Sequence, residues 1–302
     1  MRKSIVAIVV GLMLVLGCSE RQSETSEARR TGPPLVIGLI PERDIFEQLR
    51  RYEPIAKYLS QKIGADILLK PLPRYGNIIK SFEEGSMDGA FFGSFTYVLA
   101  HEKLGVEVLA RPELLDGRST YHGLFITRKD SGIRGIQDLK GKVFAFVDRA
   151  TTAGYLFPLA LFRAAGVEDY QEFFRETYFA GTHEAVVDDV LEKRADAGAL
   201  KNTTFEHVLS ENPRIEQELL ILARSPVVPE NGLAVRKTLD ETTKKALREG
   251  LLRMHEDPKG ADLLRAFGAK RFIKTTDADY EAVVSYAKAV GLNLATYDYV
   301  ND

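Results

Sequence analysis

The feature that most constrains the fold of this chain is a regular alternation of short apolar runs with amphipathic helical patterns. Leu35 to Ile40 is an apolar run of strand length that ends at Pro41. A helical pattern follows at about 45–63, with apolar residues three and four positions apart, and Gly64 closes it. Because strands that alternate with helices build parallel βαβ units, the pattern predicts an α/β fold.

The alternation continues along the chain and then restarts. The first series predicts further strands at 67–72, 90–92 and 106–110, with helices at about 75–84 and 95–104. The second series predicts strands at 123–127, 143–147, 176–179, 197–200, 219–223 and 232–235, with helices at about 154–165, 183–193 and 203–210. The tail, 238–290, is predicted to be mostly helical.

Two such series predict two lobes, each a mostly parallel sheet flanked by helices. The first lobe is predicted to be discontinuous, formed by 35–122 plus 235–302, and the second is predicted at 123–234. The chain would cross between them near 121–127 and 224–235, which are the expected hinges. Open α/β folds bind ligands beyond the carboxyl ends of their strands, so we expect a site in the cleft between the lobes.

The amino terminus predicts export and lipid attachment. Arg2 and Lys3 precede a 13-residue apolar run, Ile5 to Gly17, which is short for a membrane span but suits a signal peptide. Gly17 before Cys18 resembles a bacterial lipobox, so 1–17 is predicted to be removed and Cys18 to carry lipid. An uncleaved anchor or a soluble exported protein is the alternative. Residues 18–34 are polar and end in Gly-Pro-Pro, which predicts a flexible tether.

Composition and motifs exclude several classes of protein. The chain has 302 residues and a net charge of −2, and it lacks the broad basic footprint of a nucleic-acid binder. Its single cysteine excludes an intrachain disulfide and a multi-cysteine metal site. The sequence contains no nucleophile elbow, no P-loop and no HExxH spacing among its five histidines. Enzyme interpretations are therefore weakly supported, and we predict no metal site and no cofactor.

The turn after the apolar strand 143–147 is the first candidate site. It carries two adjacent hydroxyls, Thr151 and Thr152, and Gly154 is expected to let the backbone approach a ligand. A helix start leaves N–H groups unpaired and carries about half a positive charge, which favours an oxyanion. Thr is also an ordinary N-cap residue, and the local sequence alone favours that simpler interpretation.

Two other junctions repeat the same order of strand, hydroxyl and helix. Ser94 follows the strand 90–92, and Thr182-His183 follows the strand 176–179. Each junction alone is more often a helix cap, and a lone histidine is more often a structural hydrogen-bonding group. Three junctions from two lobes could nevertheless converge on one anion.

Several segments together resemble a known family, the phosphate, phosphite and phosphonate-type substrate-binding proteins of ABC importers. The resemblance covers about 35–300, and the segments that carry it are 91–97, 126–131, 138–142, the turn at 148–154, 181–184 and 225–229. It implies a type II periplasmic-binding-protein fold that closes on its ligand and catalyses no reaction. It also implies an ABC permease as the partner of a monomeric, membrane-anchored protein.

The resemblance also implies which residues bind the ligand. A Ser-Thr-Ser-Gly turn of the family matches 151–154 here, so Thr151 and Thr152 keep hydroxyls and Ala153 lacks one. The other positions that match the family's ligand-binding residues are Tyr75, Ser94, Tyr121, His183, Thr203 and Asn231.

Two of these positions differ from members that bind aminophosphonates. Those members place carboxylates around the ligand's ammonium, whereas Thr203 and Asn231 are neutral. A buried ammonium without a carboxylate is costly, so we expect an oxyanion without an amine. The alternatives are a sensing module for a receptor kinase, a sulfonate or ferric-ion binder on the same fold, and a secreted phosphoesterase.

Overall fold

Two β-sheets flanked by helices make up the protein in a computed structural model that describes residues 33–300. The predicted signal peptide, Cys18 and most of the tether lie outside the described residues. The strands are β1 (Leu35–Leu39), β2 (Ile67–Pro71), β3 (Gly89–Phe92), β4 (Glu107–Leu114), β5 (Thr120–Arg128), β6 (Val143–Phe146), β7 (Glu176–Phe179), β8 (Ala197–Lys201), β9 (Leu219–Pro229), β10 (Gly232–Val235) and β11 (Ala269–Lys274).

The helices fill the connections, as the alternating pattern predicted. They are α1 (Ile45–Ile63), α2 (Asn77–Glu83), α3 (Ser94–Leu104), α4 (Phe157–Ala164), α5 (Tyr170–Phe173), α6 (His183–Leu191), α7 (Asn202–Glu211), α8 (Arg214–Glu218), α9 (Glu241–Leu252), α10 (Pro258–Phe267) and α11 (Glu281–Ala289). No helix within residues 33–300 has the length and apolar character needed to cross a membrane.

Helix α1 begins and ends at residues whose roles are visible in the local sequence. The Asp44 side chain accepts the N–H groups of Phe46 and Glu47 and caps the start of the helix. Gly64 ends it with φ of 70°, a left-handed conformation that favours glycine. The apolar face of α1, including Tyr52 and Ile55, is buried against the first sheet.

Both sheets are mixed, which differs from the expected mostly parallel sheets. The first has the order β11-β4-β10-β3-β1-β2, and the second has the order β7-β6-β8-β5-β9. Strands β1, β2 and β3 pair in parallel, as do β6, β7 and β8. The pairs made by β10 and β5 are antiparallel because each of these strands arrives from the other sheet, and β11 adds an antiparallel pair at the edge of the first sheet.

The chain passes between the sheets twice, at adjacent places. It leaves the first sheet after β4 and returns through the two residues between β9 and β10. The Glu230 N–H donates to the Ser119 carbonyl at 2.9 Å, so the two connections run side by side. The crossings are therefore 115–119 and 230–231. The predicted crossing at 121–127 is wrong because those residues pair within β5, and the predicted stretch 224–235 is too long because 224–229 pairs within β9.

The carboxyl-terminal tail contains a strand that the sequence pattern missed. Half of the residues of β11 are charged, and the strand forms by antiparallel pairing with β4 at the edge of the first sheet. Beyond α11 the chain also reaches the second lobe, where the Tyr297 hydroxyl donates to the Arg149 carbonyl at 2.9 Å. The tail thus contacts both lobes.

Candidate functional site in the interlobe cleft

Two helix starts from opposite lobes meet directly in the cleft. The Phe95 N–H at the start of α3 donates to the Thr152 hydroxyl at 2.9 Å. The Thr96 hydroxyl donates to the Ala150 carbonyl at 2.8 Å. All four residues are buried, so these bonds join the lobes in a closed arrangement.

The turn at 148–154 is not an ordinary helix cap. The Thr151 hydroxyl donates to the Asp148 carbonyl at 2.6 Å and makes no capping hydrogen bond to the helix that follows. The first turn, 152–156, is wound as a π-helix, which is a rare geometry that often occurs at functional sites. The Thr152 hydroxyl accepts the bond from α3 and contacts the Tyr121 hydroxyl, so a ligand oxygen would replace Tyr121 as the acceptor of its proton.

Gly154 has a different role from the predicted one. A Cβ atom at this position would lie 2.4 Å from the Cβ of Val147 in the strand end just before the turn. Gly154 therefore lets the turn pack against Val147 at the end of the preceding strand. The close contact of its backbone is with this valine and not with a ligand. Ala153 is buried within the apolar cluster that joins the lobes.

His183 is a neutral hydrogen-bonding group at the start of α6. Its Nδ1 accepts the backbone N–H of Lys201 at 3.1 Å, which leaves Nε2–H as the donor of the neutral ring. Burial lowers the pKa of His183 to about 3. The ring of Tyr75, from the other lobe, meets the His183 ring edge-on at 6.1 Å between centroids.

Two buried tyrosines supply further neutral donors. Burial raises the pKa of Tyr75 well above its ordinary value and also raises that of Tyr121. The Tyr75 hydroxyl is buried and has no hydrogen-bond partner among the described residues. The Tyr121 hydroxyl contacts the side chains of Ser94 and Thr152. An unpartnered buried hydroxyl is costly, so Tyr75 points to a ligand.

A buried ionic cluster, which the sequence reasoning did not identify, lies beside these donors. The Lys201 ammonium donates to Glu42 Oε1 at 3.0 Å, to Asn231 Oδ1 at 3.2 Å and to Glu230 Oε1. It also lies 4.5 Å from the centroid of the Tyr121 ring. Lys201 is the last residue of an apolar strand, which was a usable signal, whereas Glu42 follows Pro41 in a loop without any local pattern.

Glu42 and Lys201 are ionised despite their burial. Burial disfavours the charged form of Glu42, but the Lys201 ammonium outweighs it and lowers the pKa of Glu42 to about 2. Burial also favours neutral Lys201, yet the carboxylates of Glu230 and Glu42 raise its pKa above the ordinary value. Glu230 Oε2 and Asn231 Nδ2 are buried without partners among the described residues. The cleft therefore offers one acceptor and one donor beyond the ion pairs.

The structure brings most of the predicted site residues together, with one exception. Tyr75, Tyr121, Thr152, His183 and Asn231 are buried around the cleft, and Ser94 and Thr151 are buried with hydroxyls bonded to main-chain carbonyls. Thr203 lies elsewhere, in an outer groove with Arg50 and His207. The reason is the geometry of α7, in which Asn202 and Thr204 face inward and Thr203 faces away.

One group of described side chains has a spacing that could hold a metal ion. Ligand atoms of Glu47, Glu184 and His207 lie within 4.8 Å of one another at the outer edge of the cleft. All three side chains are partly exposed, and His207 Nε2 also lies 3.6 Å from Glu211. This group is separate from the buried polar cluster.

The sequence matches a family of known proteins over most of its length. The family described as "ABC transporter, phosphonate, periplasmic substrate-binding protein" matches residues 37–280. The chain belongs to this family. It is thus a substrate-binding component of an ABC importer that works outside the cytoplasm, on a type II periplasmic-binding-protein fold.

Relatives and solved structures agree with this assignment. A probable ABC transporter phosphite-binding protein of Prochlorococcus marinus is 25% identical over 82% of this chain and 87% of its own length. The phosphonates-binding periplasmic protein of Escherichia coli is 25% identical over 80% of this chain and 72% of its own length. A Prochlorococcus marinus structure in complex with methylphosphonate has a TM-score of 0.75 at 24% identity, covering 84% of this chain and 97% of that one.

Proposed function

We propose that this binding protein captures a small phosphorus oxyanion without an amine, such as phosphite, phosphate or methylphosphonate, and delivers it to its permease. The observation that carries the proposal is the convergence of neutral donors from both lobes in one closed, buried cleft. Thr152, His183 and Tyr75 supply side-chain donors, and Thr151 belongs to the same turn. Helix starts on both sides add partial positive charge.

The unpartnered atoms favour phosphorus oxyanions over sulfonates. Tyr75 and Asn231 offer donors, whereas Glu230 Oε2 is an acceptor in a buried place. A phosphoryl group keeps part of its second proton near neutral pH, with a second pKa of about 6, so it can present an O–H to that acceptor. A sulfonate has no such proton and would place bare oxygens against a carboxylate.

The protein's anchoring, its monomeric state and its lack of catalysis complete the proposal. Gly17-Cys18 after an apolar run supports cleavage and lipid attachment at Cys18. The buried donors line a site that holds its ligand, and the sequence lacks the nucleophile and zinc-protease motifs described above. A Cys18→Ser variant is expected to move from the membrane to the soluble fraction of cells, and an unchanged distribution would remove the anchor from the proposal.

The ligand is tested by calorimetric titration of the purified full chain, kept soluble with a mild detergent. Phosphite, phosphate and methylphosphonate are compared with sulfate and ethanesulfonate. We expect at least one phosphorus oxyanion to bind ten times or more tightly than either sulfur compound. Preference for sulfate or ethanesulfonate, or no binding of any of the five, would contradict the proposal.

A further inference from the structure

The cleft contains an ammonium group that belongs to the protein. The Lys201 side chain is only 4% exposed, and its Nζ donates to Glu42, Glu230 and Asn231. These partners come from different parts of the fold, because Glu42 follows β1 of the first sheet and the other two form the return connection. Lys201 itself ends β8 of the second sheet. The Lys201–Glu42 pair therefore spans the two lobes, whereas Glu230 and Asn231 lie in the connection between them.

This ammonium lies next to the oxyanion donors. Nζ is 4.5 Å from the Tyr121 ring centroid, and the Tyr121 hydroxyl contacts Ser94 and Thr152. The backbone N–H of the same lysine holds His183 in its donor tautomer. An oxyanion held by Thr152 and His183 would thus have the Glu42 and Glu230 carboxylates as near neighbours.

We propose that Lys201 is a specificity-determining residue whose ammonium fills the position that a ligand's own amine would take. The inference rests on the proposed function. It explains why the ligand has no amine by the presence of the Lys201 ammonium, and not by the neutral side chains at 203 and 231. Two carboxylates beside an anion site would attract an aminoalkyl ligand. With Lys201 bonded to both, a second ammonium would meet a like charge in the same buried space.

The free oxygen of Glu230 does not provide an alternative amine site. Its partner oxygen already accepts from Lys201, so an ammonium bound to Oε2 would lie beside the lysine Nζ. A neutral ligand O–H can use Oε2 without that repulsion. Glu230 and Lys201 together therefore accept a protonated oxyanion and reject an amine.

The matched control is Lys244, a second buried lysine outside the cleft. Its Nζ bonds to Glu107 and Glu241 and to the Lys237 carbonyl, all within the first lobe. Replacing Lys244 removes a buried ammonium without touching the cleft.

The test titrates the full chain, Lys201→Ala and Lys244→Ala with methylphosphonate and with aminoethylphosphonate. We expect the wild type to prefer methylphosphonate at least tenfold, Lys201→Ala to shift the ratio of affinities at least tenfold toward aminoethylphosphonate, and Lys244→Ala to keep the wild-type ratio. Wild-type binding of aminoethylphosphonate as tight as methylphosphonate, or an unchanged ratio in Lys201→Ala, would overturn the inference and leave the proposed function standing. Absence of oxyanion binding by the wild type would instead overturn the proposed function, and this inference with it.

Chemical rescue provides a second readout. The cavity left in Lys201→Ala faces two carboxylates, so added ethylammonium should raise its melting temperature more than that of the wild type or of Lys244→Ala. If Lys201→Ala does not fold, Lys201→Met keeps the aliphatic stem and is titrated in its place. Equal responses of all three proteins to ethylammonium would also count against the inference.

Discussion

Lys201 and Lys244 are two buried lysines with carboxylate partners, and their surroundings differ in a way that separates function from stability. Lys244 is 2% exposed, but its partners Glu107 and Glu241 are 39% and 84% exposed and belong to one lobe. The partners of Lys201 are themselves buried, and Glu42 belongs to the other lobe while Glu230 lies in the connection between the lobes. The Lys244 pairs tie a helix to its own sheet, whereas the Lys201 cluster links lobe closure to the charge of the cleft.

The largest expected difference between the two lysines follows from replacing Lys201. Removing one partner of a buried ion pair costs about 3–5 kcal/mol, and the Lys201–Glu42 pair can form only when the lobes are closed. Lys201→Met should therefore favour the open form and raise the radius of gyration in small-angle X-ray scattering without ligand. Lys244→Met should leave the radius at the wild-type value. Matching scattering curves for the two variants would show that Lys201 does not control closure.

The second prediction concerns acid stability and His183. Because the pKa of this residue falls from an ordinary value of 6.5 to about 3 on folding, the unfolded chain binds the extra proton between these values. The free energy of unfolding is thus unaffected by His183 above pH 6.5 and decreases below it, by about 1.4 kcal/mol per pH unit and about 2 kcal/mol at pH 5.

His183→Gln provides the control for that prediction. Urea unfolding at pH 7 and pH 5 should show a smaller loss of stability in the variant than in the wild type. Parallel losses in both proteins would mean that the imidazole is not buried in its neutral form.

The third prediction tests the donors on the two sides of the cleft. Thr152→Ala or His183→Ala should weaken methylphosphonate binding tenfold or more, which corresponds to about 1.4 kcal/mol. Each variant also leaves a buried backbone N–H without its acceptor, that of Phe95 or of Lys201, so affinity is measured at a temperature at which circular dichroism shows the variant folded. Unaltered affinity in both variants, measured by calorimetry, would refute the site.

The smallest expected effect is at Thr203, where the family pattern and the structure disagree. Thr203 matches a family binding position, but the structure places it in the outer groove. Thr203→Ala should therefore change the affinity for methylphosphonate less than twofold. A tenfold loss would return Thr203 to the site and show that α7 turns on ligand binding.

The sequence predicted most helices and strands well because apolar spacing and helix-ending residues act within a few positions of one another. The bounds of α1 follow from its apolar spacing and from Gly64. Strand β11 escaped prediction because its charged sequence forms a strand only by pairing with β4. The first crossing was predicted at 121–127, which is inside β5, and the second at 224–235, which is broader than the actual 230–231. Both errors have a similar reason, since strand pairing and not composition sets where β5 begins and β9 ends.

The site was only partly predictable for the same physical reason. Hydroxyls at strand-to-helix junctions are visible in a sequence, and Thr152 and His183 do lie at such junctions in the cleft. The Glu42–Lys201–Glu230 cluster spans about 190 residues of chain, so only tertiary structure shows that these charges meet. Gly154 illustrates the reverse case, because its neighbour is a valine side chain and not a ligand.

A crystal structure of the protein with methylphosphonate tests the central claim most directly. The account predicts phosphonate oxygens within hydrogen-bonding distance of the Thr152 hydroxyl, His183 Nε2 and the Tyr75 hydroxyl, with Lys201 still bonded to Glu42 and Glu230. A ligand in the outer groove beside Thr203, or a Lys201 ammonium displaced from both carboxylates, would contradict it.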